Sequence, residues 1–166
     1  MQETPSVAAQ LKAAGQRSPL LLRPGFLIRR LHQIHCALFQ EETRVFQITP
    51  VQYSLLTTLA EHGEFDLMGL AAEIGLERTS VSDVIARLEE RGLAQRRQDP
   101  ADKRVKRVKI TRKGRTLLKK IDTAAHRAHA RTIEALPAQE RDQLLLLMVR
   151  LVEANNDLGA VPFRLR

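Results

Sequence analysis

Apolar residues recur at helical spacing along most of the chain, and the turns fall where that period fails. After Pro24-Gly25, Leu27, Leu31, Ile34 and Leu38 share one face and predict an amphipathic helix over residues 26–43. Thr49-Pro50 predicts the start of a second helix, with Thr49 as N-cap and Pro50 in the first turn, where no backbone N–H is needed. Its buried stripe is Val51, Leu55 and Leu59, and it stops near His62-Gly63. A short helix over residues 67–74 ends at Gly75, and after a tight turn another runs from about Arg78 to Arg91, before Gly92. The pattern then becomes strand-like over 93–97 and 105–110, with a tip at 98–104. Thr111 is the predicted N-cap of a long helix reaching about Ala135, Leu136-Pro137 interrupts the period, and a final helix carries Leu144, Leu145, Met148, Leu151 and Val152. Residues 1–24 predict no definite element.

The short pair "LAAEIGLERTSVSDVIARL", residues 70–88, has the spacing of a helix-turn-helix. Two helices crossing closely need a small residue at their contact, here Ala71, and a turn residue that tolerates positive φ, here Gly75. Leu70, Ile74, Leu76, Val81, Val84, Ile85 and Leu88 form the expected shared core. Arg78, Thr79, Ser80, Ser82, Asp83 and Arg87 are left outward, as short polar groups and arginines that suit base edges and phosphates. An ordinary helical hairpin with a solvated face accounts for the same pattern.

Charge changes that balance. The chain of 166 residues, the size of one domain, carries a formal net charge of +8. Residues 1–93 hold 9 basic and 11 acidic side chains, residues 94–120 hold 12 and 2, and residues 121–166 hold 6 and 6. The surplus therefore sits on the predicted hairpin and the start of the next helix. A helix-turn-helix followed by a two-stranded wing brings a recognition helix to the major groove and a basic tip to the adjacent minor groove. Lys103, Arg104 and Lys106 would supply that tip, with Asp102 expected to orient Arg104.

These residues also carry a resemblance. The run from Thr49-Pro50 through Gly114, above all "DPADKRVKRVKITRKG", resembles the MarR family of winged-helix transcription regulators. The matching wing pattern is Asp99, Pro100, Asp102 and Arg104, followed by Ile110, Thr111 and Gly114; Ile110 stands where the family often has Leu. The resemblance covers about residues 26–155. It implies a mainly α fold with a small β-hairpin wing, Arg104 entering the minor groove with Asp102 steadying it, and Thr79, Ser80, Ser82 and Arg87 on the recognition helix. It also implies a homodimer held by the terminal helices. Ile133, Leu136 and the run 144–148 point the same way, because they leave the final helix apolar around much of its circumference. Burial within one chain is the competing account. The expected organisation is an arm over 1–24, a helical dimerisation region over 25–48 and 112–166, and a winged helix-turn-helix over 49–111. The expected DNA partner is double-stranded, with palindromic half-sites about one helical turn apart.

MarR-like repressors are commonly released by small aromatic acids, so the resemblance implies an effector site between the first two helices and the winged region. Arg29, Arg30, His32, His35 and the single tyrosine, Tyr53, are candidate polar groups there, and Arg29, Arg30, His35 and Tyr53 are the expected effector-binding residues. His35 shares an apolar face with Leu27, Ile28, Leu31, Ile34 and Leu38 and is expected to point inward, although an inward His also serves as an ordinary core residue. The segment "GFLIRRLHQIH" resembles members that control aromatic-acid catabolism, including those answering aryl-coenzyme A thioesters. Three other readings compete. The hydroperoxide-responsive branch has a reactive Cys in a segment like Leu-Cys-Phe-Ala-Leu-Tyr, whereas here His35 takes that place, Cys36 is turned about 100° around the helix, and Phe39 replaces the Tyr. A buried, inert Cys36 is the expectation. The i,i+3 pairs His32/His35 and His126/His129 suggest a metal sensor, but neither has a third ligand at metal-site spacing. A sequence-independent architectural DNA binder would explain the charge, though not the mixed polar face of the recognition helix. No Gly-rich phosphate loop, nucleophile elbow or Cys/His cluster points to an enzyme or a cofactor. The single Cys36 excludes an intrachain disulfide and suits a reducing compartment. No signal peptide and no membrane helix are expected, and hence a cytoplasmic protein.

Overall fold

The computed structural model describes residues 5–159 and 161–162. The expected arm and C-terminal region also include residues 1–4, 160 and 163–166, which lie outside the described residues. Seven α-helices are described: α1 (Val7–Arg17), α2 (Pro24–Glu42), α3 (Pro50–His62), α4 (Leu67–Ile74), α5 (Arg78–Glu90), α6 (Arg112–Ile133) and α7 (Ala138–Asn155). Three short strands, β1 (Phe65–Asp66), β2 (Ala94–Gln98) and β3 (Lys106–Ile110), form an antiparallel sheet in the order β1-β3-β2. Residues 1–24, expected to hold no definite element, contain α1 and a 3-10 turn over Pro19–Leu22.

Local chemistry sets the boundaries. Thr49 accepts the Gln52 N–H and Gln52 Oε1 accepts the Thr49 N–H, a reciprocal cap that fixes the entry to α3. Gly75 closes α4 in the left-handed region at φ +65°, and the Gly75 and Leu76 N–H groups both donate to Ala71 O. At the far end of the helix pair, Gly92 N–H donates to Glu89 O and Leu93 N–H to Leu88 O, so the chain leaves α5 directly into β2.

The core lies where α3, α4, α5 and the sheet meet the middle of α6. Leu55, Leu56, Leu59, Leu70, Val81, Ile85, Leu88, Val108 and Ile121 are fully buried, together with Phe39 from α2. The predicted pattern for α3, α4 and α5 therefore holds, with Gln52 and Leu56 more deeply buried than Val51. The helix predicted over residues 26–43, now α2, differs. Its C-terminal half packs on α6, where Arg127 and Arg131 bind the Glu42 carboxylate at 2.8 Å each and hold its pKa below the usual carboxylate range. Its N-terminal half extends away from its own core, and Ile28 is 64% exposed, with Leu27, Leu31 and Ile34 exposed as well. Of the stripe read as inward-facing, His35 and Leu38 are half-buried, whereas Leu27, Ile28, Leu31 and Ile34 stay exposed among the described residues. Neither α1 nor α7 buries any residue, and Leu145–Val152 apart from Arg150 is an exposed apolar run.

Candidate nucleic-acid interface and effector site

The wing is built by pairing β2 with β3 from Ala94 opposite Ile110 to Gln98 opposite Lys106. Thr111 then starts α6 by accepting the Gly114 N–H at 3.0 Å, while its own hydroxyl reaches Gly92 O at 2.7 Å. Gly114 lies so close to Leu93 that a Cβ there would stand 2.2 Å from the Leu93 carbonyl oxygen. Only glycine allows this approach, which gives a physical reason for the Thr-x-x-Gly sequence at the wing's end. The third strand was not predicted: Phe65 pairs with Val108 and Asp66 with Arg107, and the Asp66 carboxylate then caps α4 through the Gly69 N–H at 2.7 Å.

The basic residues of the hairpin divide into two sets. Arg97 and Lys109 both meet Glu64, Arg96 meets Glu89, and Arg107 pairs with Asp99. Lys103, Arg104 and Lys106 have no ion pair among the described residues, and all three are exposed around the tip. Four strand cations are thus paired, sharing three carboxylates, and the charge toward the end of the hairpin is left open.

The carboxylates of the tip act differently from the expectation. Asp102 accepts the Arg104 backbone N–H at 2.9 Å and so shapes the turn, without gripping the Arg104 guanidinium. The carboxylate that directs an arginine is Asp99, which binds Arg107 Nε while accepting the Ala101 N–H at 2.8 Å. The Arg107 guanidinium, followed by the backbone N–H groups, holds the Asp99 pKa below the ordinary aspartate range. Nothing in the sequence separated the two roles, because both aspartates stand within reach of arginines.

On α5, Arg78, Thr79, Ser80, Asp83 and Arg87 are exposed, opposite the buried Val81, Ile85 and Leu88. Ser82 is half-buried and engaged by Arg96, whose Nη2 donates to Ser82 O at 2.8 Å and lies 3.4 Å from its hydroxyl.

The expected effector residues are only partly assembled. His35 points inward and its Nδ1 lies 2.9 Å from Thr132 Oγ1. The Thr132 hydroxyl donates to Ala128 O at 2.8 Å, so it accepts from His35, which assigns the proton to Nδ1. The His35 ring stacks on His129 at 4.9 Å between centroids, and Phe39 lies 5.6 Å from Tyr53. Burial lowers the pKa of both histidines and raises that of Tyr53. His129 was missed as a neighbour of His35 because the two are joined only by the packing of α2 on α6. Arg29 and Arg30 are not brought to this cluster within one chain: Arg29 lies over the Phe26 ring at 5.3 Å and Arg30 donates to Gln33 at 2.9 Å. A cavity of about 470 Å³ opens nearby between α2 and the start of α3, lined by Cys36, Gln40, Thr43, Arg44, Gln47, Ile48, Thr49 and Pro50.

Cys36 is half-buried, with its Sγ 3.5 Å from His32 Nε2. Among the described residues, no three His, Cys, Asp or Glu side chains group closely enough to hold a metal ion, and no helix is long and apolar enough to cross a membrane.

A helix pair with an open polar face, joined at Gly92 to a hairpin with a cationic tip, defines a winged-helix DNA-binding transcription regulator. The chain belongs to the MarR family, whose model matches residues 48–106. It is 28% identical over 135 residues to the HTH-type transcriptional repressor NicR of Pseudomonas putida, covering 81% of this chain and 85% of that protein. The crystal structure of a "probable transcriptional regulator" from Pseudomonas aeruginosa shares 31% identity with a TM-score of 0.75, over 78% of this chain and 96% of that one. Bordetella bronchiseptica BpsR, whose DNA binding is regulated by 6-hydroxynicotinic acid, shares 29% identity with a TM-score of 0.74, over 78% of this chain and 92% of that one.

Proposed function

We propose that this protein is a cytoplasmic, homodimeric repressor that binds a palindromic operator and is released by a small aromatic carboxylate or its coenzyme A thioester. The observation that carries the DNA half is the division of charge on the wing, which leaves Lys103, Arg104 and Lys106 open at and beside the tip while Arg96, Arg97, Arg107 and Lys109 are paired. In this reading Arg104 enters the minor groove from a turn shaped by Asp102, Lys103 and Lys106 meet phosphates, and Arg78, Thr79, Ser80, Asp83 and Arg87 face the major groove. Residues 49–111 form the reading unit. Regions 25–48 and 112–166 form the dimer, because a second subunit would cover the apolar residues that α2 and α7 expose.

The effector half rests on the cluster of His35, Phe39, Tyr53 and His129 where α2 and α3 meet α6, the junction between dimer helices and reading unit. The effector ring packs beside His35 and Tyr53, and its carboxylate meets Arg29 or Arg30 once the second subunit fixes the free half of α2. NicR being a repressor and BpsR answering an aromatic hydroxy acid support the same direction. Ligand and operator then favour different spacings of one dimer, so each weakens the other by the same factor. A thermal-shift screen of aromatic acids and their thioesters, followed by calorimetry of a hit with free and DNA-bound protein, tests this. Equal affinity for the two forms would remove the inducer role.

A further inference from the structure

Arg96 makes a bracket between the wing and the helix before it. It sits on β2, yet its guanidinium reaches back over α5 to Ser82, where Nη2 donates to the main-chain oxygen at 2.8 Å. The Glu89 carboxylate completes the arrangement: Oε1 accepts the Arg96 backbone N–H at 2.6 Å and Oε2 lies 3.4 Å from Nε. Ser82 and Glu89 are two helical turns apart on one side of α5, so a single arginine ties the strand to about 10 Å of helix. Both charged side chains are largely shielded from water, with 24% and 28% of their surfaces exposed, so the pair is screened less than a surface ion pair.

We propose that Arg96, held by Glu89, is a positioning residue for DNA recognition, locking the wing to α5 so that the two grooves are engaged as one rigid unit. The proposal rests on the reading that α5 and the wing tip contact DNA. Ser82 is then an anchor of the bracket, its carbonyl and hydroxyl both turned to Arg96. With the angle fixed, contact made by α5 already places Arg104 at its groove, and no further ordering of the hairpin is required. Without the Arg96 side chain, β2 still joins α5 through the turn at Gly92, the Glu89 bond to the main-chain N–H of position 96 and the apolar packing beneath, but the tie to Ser82 and the ion pair are gone. The wing can then rock, and each groove contact has to be formed separately.

The test is a double-mutant cycle on the full-length protein, read by affinity for a duplex that the parent selects from random-sequence DNA, far below the melting temperature and at fixed salt. In the parent, Arg104→Ala is expected to weaken binding at least tenfold. In an Arg96→Ala background the same change should weaken it less than threefold, because a wing that is no longer held contributes little. Glu89→Gln, which keeps an oxygen for the Arg96 N–H but removes the charge, should shift the coupling in the same direction by a smaller factor. Selection with Arg96→Ala should also blur base preference at positions facing the wing more than at those facing α5, which a simple loss of folded protein would not do. An Arg104→Ala effect of equal size in both backgrounds, with an unchanged selection profile, overturns the positioning role. If the parent selects no sequence at all, the underlying reading of DNA fails, and this proposal fails with it.

Discussion

Replacing Gly114 with Ala perturbs the joint through which the wing is mounted on α6. The new methyl would stand 2.2 Å from Leu93 O and 2.7 Å from Ile110 Cγ1, whereas ordinary contact begins near 3.4 Å. Backbone lies on one side, so no side-chain rotation relieves the clash and α6 has to retreat by roughly 1 Å. That retreat stretches the bonds from Thr111 to Gly92 O and Leu93 O, now 2.7 and 3.2 Å. Overpacking of this kind costs about 1–3 kcal/mol. A weakened hydrogen bond adds about 1 kcal/mol, and the higher helix propensity of Ala returns about the same amount. The net loss of about 1–3 kcal/mol corresponds to a fall in Tm of about 3–10 °C for a chain of this size. Calorimetric melting at one fixed protein concentration measures it, since an associating protein melts at a concentration-dependent temperature. A Tm that is unchanged within a degree, or raised, would refute the claim that Gly114 exists for this close approach.

Other consequences follow from the charges and the histidines. Arg104→Ala should weaken operator binding with little change in Tm, whereas Lys106→Ala should weaken all duplexes alike and flatten the salt dependence, both measurable by fluorescence anisotropy across a salt series. Substitution of Ser80 or Arg87 should relax preference at particular operator positions, with about 1–3 kcal/mol lost where a good base contact disappears, and a binding selection reads this directly. His35 and His129 have their folded pKa values lowered, first by burial and then by neighbouring imidazoles, relative to the ordinary 6.5. The unfolded chain therefore binds more protons as the pH falls below that value, so their contribution to stability is complete above about pH 6.5 and is lost on acidification through the folded values. Tm between pH 7.5 and 5.5 should fall less steeply for His129→Leu than for the parent; parallel curves would contradict the assignment.

The reading unit was legible in the sequence because its signals are local. Thr49-Pro50, Gly75, Gly92 and Thr111 each bound an element through their own caps and turns, and all four stand where the spacing placed them. What failed to show depends on distant partners. β1 is two residues long, too short for any alternation, and exists because β3 offers an edge. The stripe from Leu27 to Ile34 reads as buried by its period, but period says only that a face needs cover and not which chain provides it. Asp99 and Asp102 look alike in the sequence, and only the hairpin register brings Arg107 to the first of them. Likewise Ser82 had the right spacing for an outward reader, and the fold of β2 back along α5 gave it to Arg96.

Sequence-specific reading of DNA by α5 and the wing is open to a single decisive experiment. The purified protein is used to select duplexes from a random library, and its affinity for the selected duplex is compared with that for a scrambled one at a single physiological salt concentration. The expected product is a palindrome with half-sites about one helical turn apart, bound at least about 10³-fold more tightly than the scrambled duplex. Equal affinity for both, with binding that follows salt alone, would make the basic wing a nonspecific phosphate contact and contradict the account.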